Sequence, residues 1–186
     1  MLFVGIDGEM SCPDIEKGGK LIQIGLSVMT DNGIETISYY LRPPSDMFWE
    51  ERAAEVHKIT QEQLRFNGMH PEEVDEILYE WLINRGANPK KRIKTIPVGF
   101  NITGFDMPFV KVTLPKTYSL FSRRTAELNG MLWLLDGKQG RSMEQWKAMS
   151  MEYARMNLTD YQPHDAGWDS ARHLLCFEYL KTAVPN

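Results

Sequence analysis

Two apolar runs on either side of an Asn-Gly pair set the architecture of this chain before anything else is weighed. Residues 21–29 (LIQIGLSVM) and 35–41 (ETISYYL) are rich in strand-forming side chains and of strand length. Between them Thr30-Asp31-Asn32-Gly33 predicts a tight hairpin, because a type I′ turn needs positive φ at both central residues and Asn-Gly tolerates it. Leu2–Met10 reads as a further buried strand: Phe3, Val4 and Ile6 suit a sheet, while Gly5 and Gly8 permit close backbone approach. An antiparallel meander of three strands is therefore expected to open the molecule.

The texture then turns helical. Val74, Ile77, Leu78, Trp81 and Leu82 recur at the spacing of one helical face and predict a helix over Pro71–Asn84. Thr60 followed by Gln63 is a capping box, which starts a short helix at Thr60. A basic turn over 88–92 leads to a strand over 95–100, and a helix follows Asp106 with Pro108 in its first turn. Further helices are expected over 123–135, 143–156 and 166–180. Strands, then helix, strand and helices, is the order of an α/β fold with a mixed central sheet. No repeat or linker divides it, so one domain is expected over 1–186.

At 186 residues and 42% hydrophobic, the chain has enough interior for a core. A net charge of −4 excludes an architectural DNA binder coated in Lys and Arg, but not a nucleic-acid enzyme, since bound divalent ions reverse the local field. Two cysteines, Cys12 and Cys176, show neither metal spacing nor a disulfide framework, as in a reducing cytosol. The apolar run at 1–6 is too short for a signal sequence, and no run reaches membrane length. A cytoplasmic protein without a membrane segment is expected.

Five residues carry the chemistry. Asp7 and Glu9 lie two apart on a strand and so share a face. Asp106 follows the expected fourth strand, and Asp169 sits one turn into the last expected helix, with His164 on the loop before it. Singly, these read as a polar strand end, an N-cap and a surface histidine. Together, four carboxylates at the edges of apolar segments would repel one another and demand cations, which is the need of a two-metal phosphoryl-transfer site. A histidine, which titrates near neutrality, beside them suits a general base.

The stretch from Gly99 to Val110 (GFNITGFDMPFV) resembles the second exonuclease motif of family-B DNA polymerases, and the order of elements resembles the ribonuclease H-like fold. Asp7-x-Glu9, then Asp106, then His164-x4-Asp169 stand in the order of the DEDD exonuclease superfamily. Histidine in the third motif resembles the DEDDh subclass, typified by the proofreading subunit of bacterial replicative polymerase, ribonuclease T and oligoribonuclease. Residues 21–25 and 56–60 (VHKIT) resemble supporting segments of the same family.

This resemblance implies a 3′–5′ exonuclease that releases nucleoside 5′-monophosphates from single-stranded DNA or RNA, using two Mg²⁺ or Mn²⁺ ions. It implies that Asp7 bridges both ions, that Glu9 and Asp169 complete one, that Asp106 holds the other, and that His164 is the base. It further implies that Asn101 and Phe105 contact the strand end and that His57 borders the terminal nucleotide. Met10 and Ser11 stand where many relatives have two threonines, so contacts there differ. Candidate phosphate contacts lie among Lys90, Lys91, Arg92, Lys94, Lys111, Arg123 and Arg124, which as a solvated basic face need no function. A homodimer or a polymerase partner is compatible with the resemblance. One rival reading is a nucleic-acid or protein-binding module that kept the fold and lost turnover, against which all five residues argue. A nearer one is a metal-dependent endonuclease of a ribonuclease H-like fold, whose acids do not come with the His164-x4-Asp169 motif.

Overall fold

The computed structural model describes residues 2–89, 95–159 and 164–184. Three antiparallel strands open the chain: β1 (Leu2–Met10), β2 (Leu21–Thr30) and β3 (Gly33–Tyr40). The turn between β2 and β3 departs from the expected type I′. Asp31 and Asn32 stay at negative φ while Gly33 takes φ 111°, so the glycine follows a tight turn rather than forming its centre. Register is unaffected, with Thr30 facing Gly33 and Val28 facing Glu35.

Helices α1 (Glu51–His57), α2 (Gln61–Asn67) and α3 (Pro71–Asn84) precede β4 (Thr95–Gly99). The expected capping box at Thr60 forms: its side chain accepts from the Gln63 N–H at 3.1 Å, and the Gln63 side chain accepts from the Thr60 N–H at 2.7 Å. After β4 come α4 (Asp106–Thr113), α5 (Pro115–Leu120), the two-residue β5 (Ala126–Glu127), α6 (Leu128–Leu135), α7 (Met143–Asn157) and α8 (Ala166–Ala183). The helix expected over 123–135 thus begins only at Leu128, because the residues before it extend to pair with β4. Lys90, Lys91, Arg92 and Lys94 lie outside the described residues.

The sheet runs β3-β2-β1-β4-β5, with β4 parallel to β1 and β5 parallel to β4. It is covered on both faces. On one side Val4, Ile6, Ile24 and Leu26 pack with Val74, Leu78 and Leu82 of α3 and Val110 of α4. On the other, Val98 joins Leu128 and Leu132 of α6, Trp146 of α7 and Leu174 of α8. This two-sided cover explains why β2 is buried over nearly its whole length.

The seat of α8 decides where the site forms. A Cβ on Gly25 would stand 1.9 Å from the Ala166 carbonyl oxygen, and one on Gly5 would stand 2.1 Å from that of Ser170. Only glycine lets the helix backbone lie directly on β1 and β2. Ser27 and Ser170 share a buried hydrogen bond of 2.8 Å across this contact. Asp165 caps the helix by accepting from the Gly167 and Trp168 N–H groups, and the Gln23 side chain holds its other oxygen at 2.8 Å.

Candidate active site

The five predicted residues meet in one cleft of about 450 Å³. β1 supplies Asp7 and Glu9 from one face of its C-terminal half, as period two requires. Asp106, the first residue of α4, is buried and its Oδ1 accepts the Gly8 N–H at 2.8 Å, which ties α4 to β1 between the other two acids. Asp169 reaches in from the first turn of α8, and Arg172 pairs with it at 3.1 Å. His164 is exposed on the rim, at φ 61°.

The electrostatics of the site are those of a buried anionic cluster that Arg172 offsets only in part. Burial, then repulsion from Asp106, Asp169 and Glu9, lifts the Asp7 carboxyl well above the usual carboxylate range. Glu9 is pushed up to about 8 by burial and by Asp169 and Asp106. Burial pushes Asp106 to about 7 despite the Gly8 N–H that favours its charged form. One ligand atom each from Glu9, His164 and Asp169 lie within 4.8 Å of one another, a spacing that one metal ion can bridge. Hard oxygen donors lifted by burial and by one another's charge are the donor set that a divalent cation relieves, so the residues present fit Mg²⁺ or Mn²⁺.

Three further nitrogen-bearing side chains of the cleft, those of Lys147, Arg172 and His173, lie outside the sequence motifs. His173 is buried; its Nδ1–H donates to the Ile6 carbonyl at 2.8 Å, and the ring packs edge-on against Phe100. Burial holds it down near 4, so it is a neutral imidazole that turns Nε2 toward Asp7 at 3.8 Å, too far for a hydrogen bond. Lys147 and Arg172 line the same cleft and bring positive charge to its α7–α8 side. The helical spacing of Asp169, Arg172 and His173 is the signal that could have found two of the three, since residues three and four apart share a face.

The expected substrate contacts gather beside the acids. Asn101 sits at φ 58° on the cleft wall, and its side-chain oxygen accepts from Asn129 at 2.8 Å. Phe105, 42% exposed, divides the cleft from a neighbouring hollow of about 380 Å³ lined by Glu9, Met10, Val56 and His57. His57 is buried; its Nδ1 accepts the Ile59 N–H at 2.9 Å, which leaves the proton on Nε2. That Nε2–H is buried without a partner among the described residues.

Comparison with known proteins agrees with this geometry. Solved structures with the same fold include Escherichia coli exonuclease I bound to a dT13 oligonucleotide, at TM-score 0.68 and 15% identity over 96% of this chain and 40% of that one. Exonuclease I from Methylocaldum szegediense matches at TM-score 0.65 and 15% identity, over 97% of this chain and 42% of that one. A full-length 3′-exonuclease matches at 0.64 and 16%, over 97% and 60%. This chain thus spans about two fifths of the exonuclease I chains. A comparison with curated protein sequences finds no match. The profile of the RNase_T exonuclease family matches residues 4–166, and the fold, the acidic cleft and that match together place the chain in this exonuclease family of the DEDD superfamily.

Proposed function

We propose that the protein is a 3′–5′ exonuclease of the DEDDh type, a single exonuclease domain that removes nucleoside 5′-monophosphates from the 3′ end of single-stranded nucleic acid. The observation that carries this reading is the convergence of Asp7, Glu9, Asp106 and Asp169 with His164 in one cleft of an exonuclease-family chain. The 3′ polarity is supported by the fold shared with a protein described as a 3′-exonuclease, and a single-stranded substrate by exonuclease I structures that hold oligonucleotides.

Asp7, Glu9, Asp106 and Asp169 would hold two divalent ions. Such ions neutralise charge and polarise the phosphoryl oxygens when bound. His164, placed on the rim with its imidazole near Glu9 and Asp169, accepts the proton of the attacking water. The bond that breaks joins the terminal phosphorus to the 3′ oxygen of the penultimate nucleotide, which leaves a new 3′ hydroxyl. Lys147 and Arg172 face the phosphate from α7 and α8. The hollow between Met10, His57 and Phe105 receives the terminal nucleotide.

The test is a digest of 5′-labelled single-stranded DNA and RNA of matched sequence, with Mg²⁺, with Mn²⁺ and with EDTA. Expected is a metal-dependent ladder that shortens from the 3′ end. A ladder of internal fragments, or cutting that survives EDTA, would overturn the proposal.

A further inference from the structure

The cleft accounts for Asn101 and Phe105 but not for the ring that stands beyond them. Trp133 of α6 is 73% exposed and Leu134 beside it 62%. The helix buries Leu128, Leu132 and Leu135, so its free face carries Asn129 and, one turn on, Trp133. That face begins at the cleft wall, because Asn129 donates to the Asn101 side chain at 2.8 Å. One helical turn sets Trp133 about 6 Å further along the axis, roughly two base steps of about 3.4 Å in a stacked strand.

The rim beside this face carries cations. Thr103, between Asn101 and Phe105, shares a 2.9 Å hydrogen bond with the Thr125 hydroxyl, and the exposed Arg123 and Arg124 immediately precede Thr125. The nearby acids are engaged. Glu127 accepts from the Thr103 N–H and hydroxyl at 2.7 and 2.5 Å, and Asp136 accepts the Met143 N–H at 2.8 Å. An exposed indole and guanidinium groups on a face that meets the cleft wall at Asn129 match what a single strand needs: faces on which bases stack and charge along its phosphates.

We infer that the α6 face around Trp133 is a stacking platform for the strand upstream of the terminal nucleotide, with Arg123 and Arg124 meeting its phosphates. The inference rests on the nuclease reading and extends it from the cut bond to the strand behind it. Because every base has a π face, the platform is indifferent to sequence.

The test combines two measurements on wild type, Trp133→Ala, Trp133→Phe and the double variant Arg123→Ala/Arg124→Ala. The first is binding of a fluorescent single-stranded 12-mer by anisotropy, with EDTA to block cutting. The second is the ratio of kcat/KM on that 12-mer to kcat/KM on the p-nitrophenyl ester of thymidine 5′-monophosphate, which has no upstream base. Trp133→Ala should weaken binding and lower the ratio by about 5- to 150-fold, the range for removing one base stack, while Trp133→Phe keeps most of both. The arginine variant should flatten the salt dependence of binding, its slope falling by roughly 1 for each phosphate left without its cation. Wild-type affinity in Trp133→Ala, or equal losses on both substrates, would overturn the platform. So would unchanged binding in a Trp133→Ala protein that sediments as a monomer where wild type is a dimer, since the face would then belong to a second copy. A wild type that binds through Trp133 but cuts neither substrate would uphold the platform and sink the nuclease reading.

Discussion

Asp75 and Asp106 are equally buried, each at 4% exposure, and yet they do opposite things. Asp75, on α3, accepts the Lys116 and Thr117 N–H groups at 2.9 and 2.7 Å, and its own carbonyl receives the Thr117 hydroxyl at 3.0 Å. It caps the first turn of α5, a helix whose own preceding residue, Leu114, cannot. Asp106 receives the Gly8 N–H but faces a cluster of like charges. Burial of a carboxylate therefore does not mark function. What marks it is whether the surroundings satisfy the charge, as around Asp75, or leave it for something else to satisfy, as around Asp106.

The sharpest way to break this contrast is to remove each acid in turn. Asp7→Ala should reduce nuclease activity to background while its melting temperature in EDTA does not fall, because a repelling charge has gone. Full activity in that variant would end the metal-cluster account. Asp75→Ala should do the reverse. It leaves each N–H at the α5 start without its acceptor, at about 1–3 kcal/mol apiece, while activity per folded molecule stays at the wild-type level. Thermal and chemical denaturation in EDTA, together with an activity assay, read these quantities.

Between these extremes, His164→Ala should slow turnover by about 10²–10⁴-fold, the range for removal of a general base. If His164 handles only the proton, Mn²⁺ should raise the melting temperature of this variant as much as that of wild type. Loss of that gain would instead make His164 a ligand alongside Glu9 and Asp169, which its place in their 4.8 Å cluster allows. Thermal melts with EDTA and with Mn²⁺ decide between them.

The gentlest effect is a slope. Glu9 and Asp106 move from ordinary values of 4.5 and 3.8 up to about 8 and about 7 in the metal-free fold. Between these limits the folded state holds more protons than the unfolded one, so metal-free stability should fall as pH rises from about 4 to about 8. Asp106→Asn keeps an oxygen for the Gly8 N–H and should make that fall shallower. Saturating Mn²⁺, which binds the deprotonated acids, should reverse it. Melting curves across this range, with and without metal, measure the sign. A flat metal-free profile would mean that neither burial nor repulsion lifts these acids.

Much of the fold is legible in the residues alone. The meander, α3 and α8 announce themselves by period and length, and the acids stand at the ends of those segments, where topology brings them together. What escapes such a reading depends on distant partners. α5 is capped from α3 by Asp75, about forty positions upstream, which no local pattern reveals. α1 follows Glu50, which makes no side-chain cap, and spans seven residues without a clean apolar stripe. β5 has two residues and exists only as a partner of β4. The Asn-Gly pair foretells the hairpin but not its turn, because the conformation that fits the twist of β2 and β3 needs only Gly33 in the left-handed region. His173 is hidden in an ordinary-looking helix; its burial against Ile6 and Phe100 is a tertiary fact.

The glycine seats at Gly5 and Gly25 have a consequence for how competence arises. Asp7 and Glu9 come early in the chain, Asp106 near its middle, and Asp169 rides on the last helix. Until α8 lies down on the two bare glycines, the early acids have no completing partner and the cleft has no wall. On the proposed reading, strand cutting then depends on the docking of that one helix. A copy with α8 undocked would hold Asp7 and Glu9 without Asp169, so on the proposed nuclease reading the fit of one helix would be the proof of assembly.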